Sequence, residues 1–499
     1  MKNAFIFCFF FFLVSTSGFS QEFSGKVMDE QTRQPIPFAT VQFAKNRGVI
    51  TNDEGSFTIN RPVSQIEELE ISSVGYELKK VKPSEVRDNV IYLKTQVIQL
   101  DDVFLSDKKL TGREILEKAK ERVAENYDIG TIQKRFFFRE SNLNKVNRFD
   151  LKVKESSIEE IDQELMDSLS ASIPKIVNSY KESLGDFSGN YSSQEIDLIK
   201  GANLYNPQST ASLDKLLEKL DNLFKENVKP DSYFKIKSGL LGVKVDVDEF
   251  DMENDDPKKE PTAKEIAETE ARQKTSVLGT TNTHLNSLLN YSFWNEDGSF
   301  DLFDKLRKYE YSIKGYTYLD NNLVYVINFE PKGSADFKGQ IYVDTEDYGI
   351  HRLDYENVKP LKKLRLFGIS SIDDVYQGKM IFSKNASGKY IPKYMEREEG
   401  ESIGIDRPLK LIEKNKNVVG KRKQNELDMD ILIKVSQRDK YQLIVFEDSE
   451  ESSTSVSVKK SKEDFEYQTL KKYDPEFWDG YNIMEPNSAI KEFTAINAE

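Results

Sequence analysis

Two histidines, His284 and His351, are the only imidazoles in 499 residues. A histidine-based zinc site needs three or four ligands at short spacings, and neither His-Glu-x-x-His nor His-x-His occurs. His351 lies in a strand-like run with Arg352 and Asp354 near it, and both histidines read as surface residues. The single cysteine, Cys8, falls inside an apolar leader. Thiol catalysis, disulfides and Cys–metal sites are therefore excluded from the chain that follows. Ser232-Tyr233-Phe234-Lys235 has the S-x-x-K spacing of a serine acylase. That nucleophile should open a helix and have a Lys-Thr-Gly partner; here it sits in a strand-like run, so the spacing reads as chance. The acidic stretch from Asp251 fails as a calcium hand, because Asp256 stands where glycine is needed and Thr262 replaces the bidentate glutamate. Gly-x-Ser-x-Gly and the two nucleotide-binding glycine loops are absent. These residues define no reaction, and no cofactor or metal is expected.

Composition narrows the setting. Lys and Arg total 71 against 85 Asp and Glu, a net charge of −14. That balance argues against nucleic-acid binding, which needs concentrated positive charge. The densest basic run, Lys421-Arg422-Lys423, reads as a solvated turn. Residues 1–20 have the form of an export signal: Lys2, an apolar run from Phe5 to Val14, then small residues at Gly18 and Ser20, which place cleavage before Gln21. No later segment is apolar for long enough to cross a membrane as a helix. The expected location is the periplasm or the periplasmic face of the outer membrane.

The residues that follow are the most patterned in the chain. Short period-2 apolar runs alternate with turn chemistry over 22–95: Phe23 and Val27, then Pro35 to Val41, then Asn52-Asp53-Glu54-Gly55 leading into Phe57 and Ile59, then Leu69 and Ile71, the Gly75-Tyr76 bend, and Val90 to Leu93. Seven short strands without a helix predict a small β-sandwich. Gly25-x-Val27-x-Asp29, Pro35-Ile36-Pro37-Phe38-Ala39-Thr40-Val41, Thr51-Asn52-Asp53-Glu54-Gly55-x-Phe57 and Ile71-Ser72-x-Val74-Gly75-Tyr76 together resemble the carboxypeptidase-regulatory-like (transthyretin-like, prealbumin-type) domain. That module recurs at the N-terminus of Gram-negative envelope proteins, including outer-membrane receptors. The resemblance implies a non-catalytic accessory module. It directs attention to a surface formed by Asn52, Asp53, Glu54, Gly55, Gly75 and Tyr76.

Beyond a linker at 96–110, the expected fold is an α+β multidomain chain. Residues 111–308 read as mainly helical, with strands at 134–139 and 147–153. Thr111 and Glu114 form a capping box for a helix over 112–126. Further helices are expected at 161–169, at 212–224 and from 262 toward 289, with a solvated, mobile insertion at 246–264. From Tyr309 to Glu447 strands of six to ten residues alternate with hairpin turns, which predicts a large antiparallel meander. Gly339-x-Ile341-x-Val343-Asp344 with Tyr348-x-Ile350 is similar to hairpins of lipoprotein-carrier-like (LolA-like) half-barrels. The tail, 448–499, is expected to pack back on this body.

Three functions fit. The first is a secreted, non-enzymatic envelope protein whose sandwich docks an envelope partner such as an outer-membrane protein. The second is a carrier or chaperone enclosing an apolar ligand under the curved sheet. The third is an envelope hydrolase acting on peptide or glycan.

Overall fold

The computed structural model describes residues 22–494 apart from 46, 97–109, 131, 206–210, 230, 240, 247–262, 296–299, 320–321, 418, 420–421 and 447–464. The expected export signal, linker and acidic insertion therefore lie outside the described residues, apart from a few positions at their edges. The chain is mostly β, with 55% strand and 19% helix. It divides into two compact units.

The first unit contains the residues up to Gln99, together with 317–323 and 474–489. Its strands are β1 (Phe23–Asp29), β2 (Thr40–Ala44), β3 (Arg47–Ile50), β4 (Ser56–Ile59), β5 (Leu69–Ser72), β6 (Lys79–Val81) and β7 (Val90–Leu93). They form a three-stranded sheet, β4-β1-β7, and a four-stranded sheet, β3-β2-β5-β6. Alternation puts Phe57 and Ile59, Leu69 and Ile71, and Ile91 and Leu93 into one core with Phe23 and Val27. Gly55 has φ +73°, and a Cβ there would stand 2.5 Å from the Val27 carbonyl oxygen. Only glycine lets the 52–55 turn lie this close to β1.

The second unit is built on one long sheet. Its strands are β8 (Ile132–Ser156), β9 (Ile176–Asn190), β10 (Ser193–Leu204), β11 (Ser232–Ser238), β12 (Leu241–Asp246), β13 (Tyr309–Leu319), β14 (Asn322–Pro331), β15 (Phe337–Asp344), β16 (Ile350–Asn357), β17 (Lys362–Leu366), β18 (Ile369–Lys384), β19 (Tyr390–Asn415), β20 (Lys423–Phe446) and β21 (Glu466–Leu470). The order is β13-β14-β15-β16-β18-β19-β20-β8-β9-β10-β21; β11 and β17 add to β19 and β18, and β12 to β11. The meander expected from 309 is present, but its later strands are far longer than six to ten residues. β19 runs for 26 residues and β20 for 24, a span of about 80 Å at the usual strand rise.

Two expectations are corrected here. Residues 111–308 are not mainly helical: β8, β9 and β10 come from them and extend the sheet beyond β20. The strands read at 134–139 and 147–153 are two parts of β8; the residues that join them, 140–146, escaped notice because their only apolar side chains, Leu143 and Val146, are not buried. The tail does not simply pack on the body. Residues 466–470 pair with β10 in parallel, whereas 474–489 belong to the first unit.

Helices cover the sheet near both ends of its long strands. α1 (Gly112–Glu121) starts at the predicted capping box, where the Thr111 N–H donates to Glu114 Oε2 at 2.7 Å and the Glu114 N–H to Thr111 Oγ1 at 3.3 Å. It is followed by the single turn α2 (Val123–Asn126). Ile115, Leu116 and Ala119 of α1 enter the main core with Leu285, Leu288 and Leu289 of α5 (Ala263–Asn290) and with Phe136, Phe138, Ile341, Leu353, Met395 and Leu443 of the sheet. At the other end, α3 (Gln163–Ser172) and α4 (Ala211–Asn227) form a smaller cluster: Leu165, Met166, Leu169 and Leu223 pack with Met429 of β20.

Inside the sheet, Arg139 of β8 and Glu182 of β9 are an enclosed ion pair, Nε to Oε1 2.7 Å, with side chains 2% and 0% exposed. Removing one partner leaves the other charge in a dry site. Glu182→Ala should lower the stability of this unit by about 3–5 kcal/mol in chemical unfolding, whereas the double change Arg139→Met/Glu182→Leu should recover most of the loss.

Candidate functional site

The two stretches singled out on the sandwich turn out to be different kinds of surface. In the 52–55 turn, Asn52 is buried and its Oδ1 accepts from the Glu54 and Ser56 N–H groups, each at 2.9 Å. Its Nδ2 donates to the Pro486 carbonyl at 3.1 Å. Glu54 Oε1 accepts from the Ser488 N–H at 2.9 Å, and the Asn60 N–H donates to Asn482 Oδ1 at 3.0 Å. Residues 482–488 therefore lie along this turn, with Met484 buried. Asn52 and Gly55 are not an open face, as the sequence had suggested; Asp53 alone of the four is exposed. Nothing in local sequence announces a partner more than four hundred positions away.

The Gly75-Tyr76 bend remains accessible. Gly75 has φ +84°, the left-handed conformation that favours glycine. Beside it is a cavity of about 410 Å³ lined by Ser72, Ser73, Tyr76, Glu77, Leu78, Gln96 and Tyr318, the last from the tip of the β13–β14 hairpin, 317–323, which belongs to the first unit. The Tyr76 hydroxyl donates to Asp29 Oδ2 at 3.0 Å. Burial, with the Asp29 carboxylate next to it, pushes the phenol up to about 12. Asp29 in turn is held below the usual carboxylate range, first by the Thr32 N–H and also by the Gln31 N–H and Tyr76. Tyr76 is thus an anchored, neutral phenol. The lining offers hydroxyls, an amide and one carboxylate, which suits hydrogen bonding to a polar ligand or peptide.

The second unit contains two histidine clusters. His351 is 2% exposed; its Nε2 lies 3.2 Å from Asp344 Oδ2 and 3.1 Å from the Tyr390 hydroxyl. Tyr390 also reaches Asp347 Oδ1 at 3.2 Å, and Lys384 Nζ closes the group at 2.7 Å from Asp347 Oδ2. His351 Nδ1 is buried with no hydrogen-bond partner. The proton therefore belongs on Nε2, facing Asp344, because an unpaired acceptor is cheaper to bury than an unpaired N–H. A Cβ on Gly349 would overlap the Tyr390 ring, so the glycine lets that ring reach the cluster. Arg352 and Asp354, expected near His351, point to the opposite face of β16 and pair with each other at 2.8 Å. The burial of His351 fits a clamp that holds the β15–β16 turn to β18 and β19.

The other cluster is partly open. His284 Nδ1 meets Glu140 Oε2 at 2.5 Å, with Lys181 Nζ 3.4 Å from the same carboxylate and the Tyr441 ring 4.9 Å from the imidazole. Ser232 and Lys235 do not form an acylase pair. Ser232 is buried and donates to Glu413 Oε1 at 2.6 Å, while Lys235 is exposed three positions along the same strand, on its other face. Among the described residues no group of three or more His, Cys, Asp or Glu could hold a metal ion. Of the basic turn, Arg422 and Lys423 are exposed and Lys421 lies outside the described residues.

Residues 23–105 match the CarboxypepD_reg-like domain family, so the first unit is built around a domain of that class. None of the curated proteins matches the chain in sequence. Among solved structures, a chain of the Pseudomonas aeruginosa MucA/MucB complex is 5% identical, with 64% of this chain and 93% of that one covered and a TM-score of 0.15. A similarity at that level bears on neither fold nor role.

The His351 clamp has a pH signature. Burial raises the Asp344 pKa, but the hydrogen bonds from His351 and the Glu346 N–H and the charge of Lys384 outweigh it and bring it to about 2 from 3.8. A lowered carboxylate stabilises the fold above its unfolded value, and that stability is lost as pH falls from about 4 toward 2. The contribution is about 2 kcal/mol. Asp344→Asn should remove this part of the acid dependence in urea unfolding followed between pH 5 and 2.

Proposed function

We propose that the chain is a secreted, non-enzymatic protein of the cell envelope with a binding or structural role, and that its N-terminal β-sandwich, of transthyretin-like type, is the docking module. The observation that carries this reading is how the sandwich holds residues 482–488. A side-chain amide, a carboxylate and a backbone N–H grip a chain segment at the 52–60 edge. An amide and a carboxylate, Gln96 and Glu77, also line the open cavity at Tyr76, with hydroxyls beside them. A module that already holds one chain segment by polar pairing is suited to hold another. The partner we favour is an envelope protein, with an outer-membrane protein as the leading class, and the location is the periplasm or the periplasmic face of the outer membrane.

The buried polar groups of the second unit support a non-catalytic body. His351 is sealed inside its clamp, and Ser232 is committed to Glu413. The carrier reading called for an apolar cavity between helices and sheet. The side chains there instead interlock: Phe293 contacts Tyr127, Trp294 and Phe382 with ring centroids 5.4, 4.8 and 5.8 Å apart, which supports a filled core.

Two measurements test the proposal. N-terminal sequencing of the protein from fractionated cells should read from Gln21 in the periplasmic or outer-membrane fraction; an intact Met1 in the cytosol would sink the location. Full-length protein should capture an envelope partner whose recovery falls at least about tenfold, the effect of removing one interfacial anchor, when the cavity rim is changed by Glu77→Arg with Gln96→Arg. An unchanged partner list would remove the docking role of this face.

A further inference from the structure

Strand β19 is longer than either partner on one of its sides. β18 pairs with it from Tyr390 to Ile405, and β11 takes over from Lys410 to Asn415. The turns of the β17–β18 and β11–β12 hairpins therefore meet end to end beside residues 406–408. The Asp406 N–H donates to the Gly368 carbonyl at 2.7 Å, Ser238 Oγ to the Pro408 carbonyl at 2.8 Å, and Arg407 Nε to Ser238 Oγ at 2.7 Å.

These two tips carry large apolar side chains in water. Phe367 is 69% exposed, Leu364 and Leu366 55%, Ile369 42%, and Leu241 and Val243 56%. Isolated exposed leucines need no explanation, but several on adjoining tips do. Phe367 is also in the wrong conformation for its type. It and Gly368 form a two-residue turn with φ +48° and +79°. Such turns select Asn-Gly, and a bulky residue at positive φ is disfavoured. A phenylalanine kept there, against local preference and facing solvent, points to a use outside the fold. Along β17 the charges have one sign: Lys362, Lys363 and Arg365, with no acid between Lys362 and Ile369, in a chain of net charge −14; the nearby acids are Asp373, 3.9 Å from Lys362 Nζ across the ladder, and Asp406 beside the turn.

The geometry points to this double-hairpin tip as a contact for an anionic lipid surface, with Phe367, Leu366 and Leu241 entering the headgroup boundary and Lys362, Lys363 and Arg365 on the phosphates. Among the described residues β17 pairs only with β18, so its outer backbone edge is open. An open edge cannot enter hydrocarbon, which restricts the contact to the interface. Strand addition by a protein partner is the competing use of that edge, and cationic residues along it oppose such pairing. The inference does not rest on the docking role of the sandwich.

The test is co-sedimentation of the full chain with phosphatidylglycerol or phosphatidylcholine vesicles. Binding to the anionic vesicles alone, weakened by salt, is expected. Phe367→Asn should reduce it about tenfold or more, the loss of one buried aromatic. It should also hold or raise the melting temperature, because Asn-Gly suits the turn. Lys362→Glu/Lys363→Glu/Arg365→Glu should reduce binding about a hundredfold or more. No binding to either vesicle, or full binding by Phe367→Asn, would overturn the proposal. So would a concentration-dependent dimer in sedimentation velocity that Phe367→Asn abolishes, since the face would then belong to a second copy.

Discussion

The second unit depends on keeping three very long strands in register. β19, β20 and β8 pair over most of their lengths, yet from Ser141 onward no side chain of β8 is fully buried. Where both faces of a strand are wet, the hydrophobic pattern no longer penalises a slip, and register must be set by other means. Two devices do this. One is the pair of apolar clusters near the ends: Phe136 and Phe138 in the main core, and Leu151 and Val153 against the smaller one. The other is charge pairing on the exposed faces: Arg438 Nη1 to Asp374 Oδ1 at 2.8 Å in the middle, and Lys154 to Asp430 and Lys410 to Asp428 at 2.5 and 3.1 Å beside the smaller cluster. Each exposed pair is weak in energy, but a slip of one position would place these groups against the wrong neighbours.

The same logic explains the buried polar groups. Arg139 with Glu182 and His351 with Asp344 lie where side chains are enclosed, so mispairing there strands a charge without water. A sheet this long needs points where only one register is acceptable. Apolar residues near the ends supply most of the energy of these points, and the enclosed polar pairs supply selectivity.

What the sequence revealed follows from this division. The sandwich was legible because most of its strands bury one face and its turns carry glycine; Gly55 and Gly75 stand where φ must be positive. The α1 cap was legible because Thr111 and Glu114 are neighbours. The length of β8 and β20 was not, because in their exposed middles charged residues alternate with single apolar ones, a pattern shared with loops. The candidate surface was half legible. Tyr76 does border a cavity, but Asn52 is occupied by Pro486, and contacts between distant positions leave no local trace. His351 was visible as a residue while its partner was not. Asp344 lies at the end of β15, before the turn and on the enclosed side, whereas the nearer Asp354 is on the other face.

One signal in the sequence was stronger than it looked. Proline is excluded from central strands because it lacks an N–H for the ladder, yet β19 contains Pro392 and Pro408. Pro392 lies opposite Phe382, where the register with β18 shifts. Pro408 accepts at its carbonyl from Ser238 Oγ, so that carbonyl, and with it the missing N–H, faces the side where β18 has ended and β11 has not yet begun. A residue of a strand turns both of its backbone groups to the same side. No ladder hydrogen bond is lost at Pro408, because that side of β19 has no strand to receive one. The proline thus marks the partner switch itself. It also opposes continuous pairing of a single neighbour along β19, and so keeps the two hairpin turns separate and their tips facing solvent.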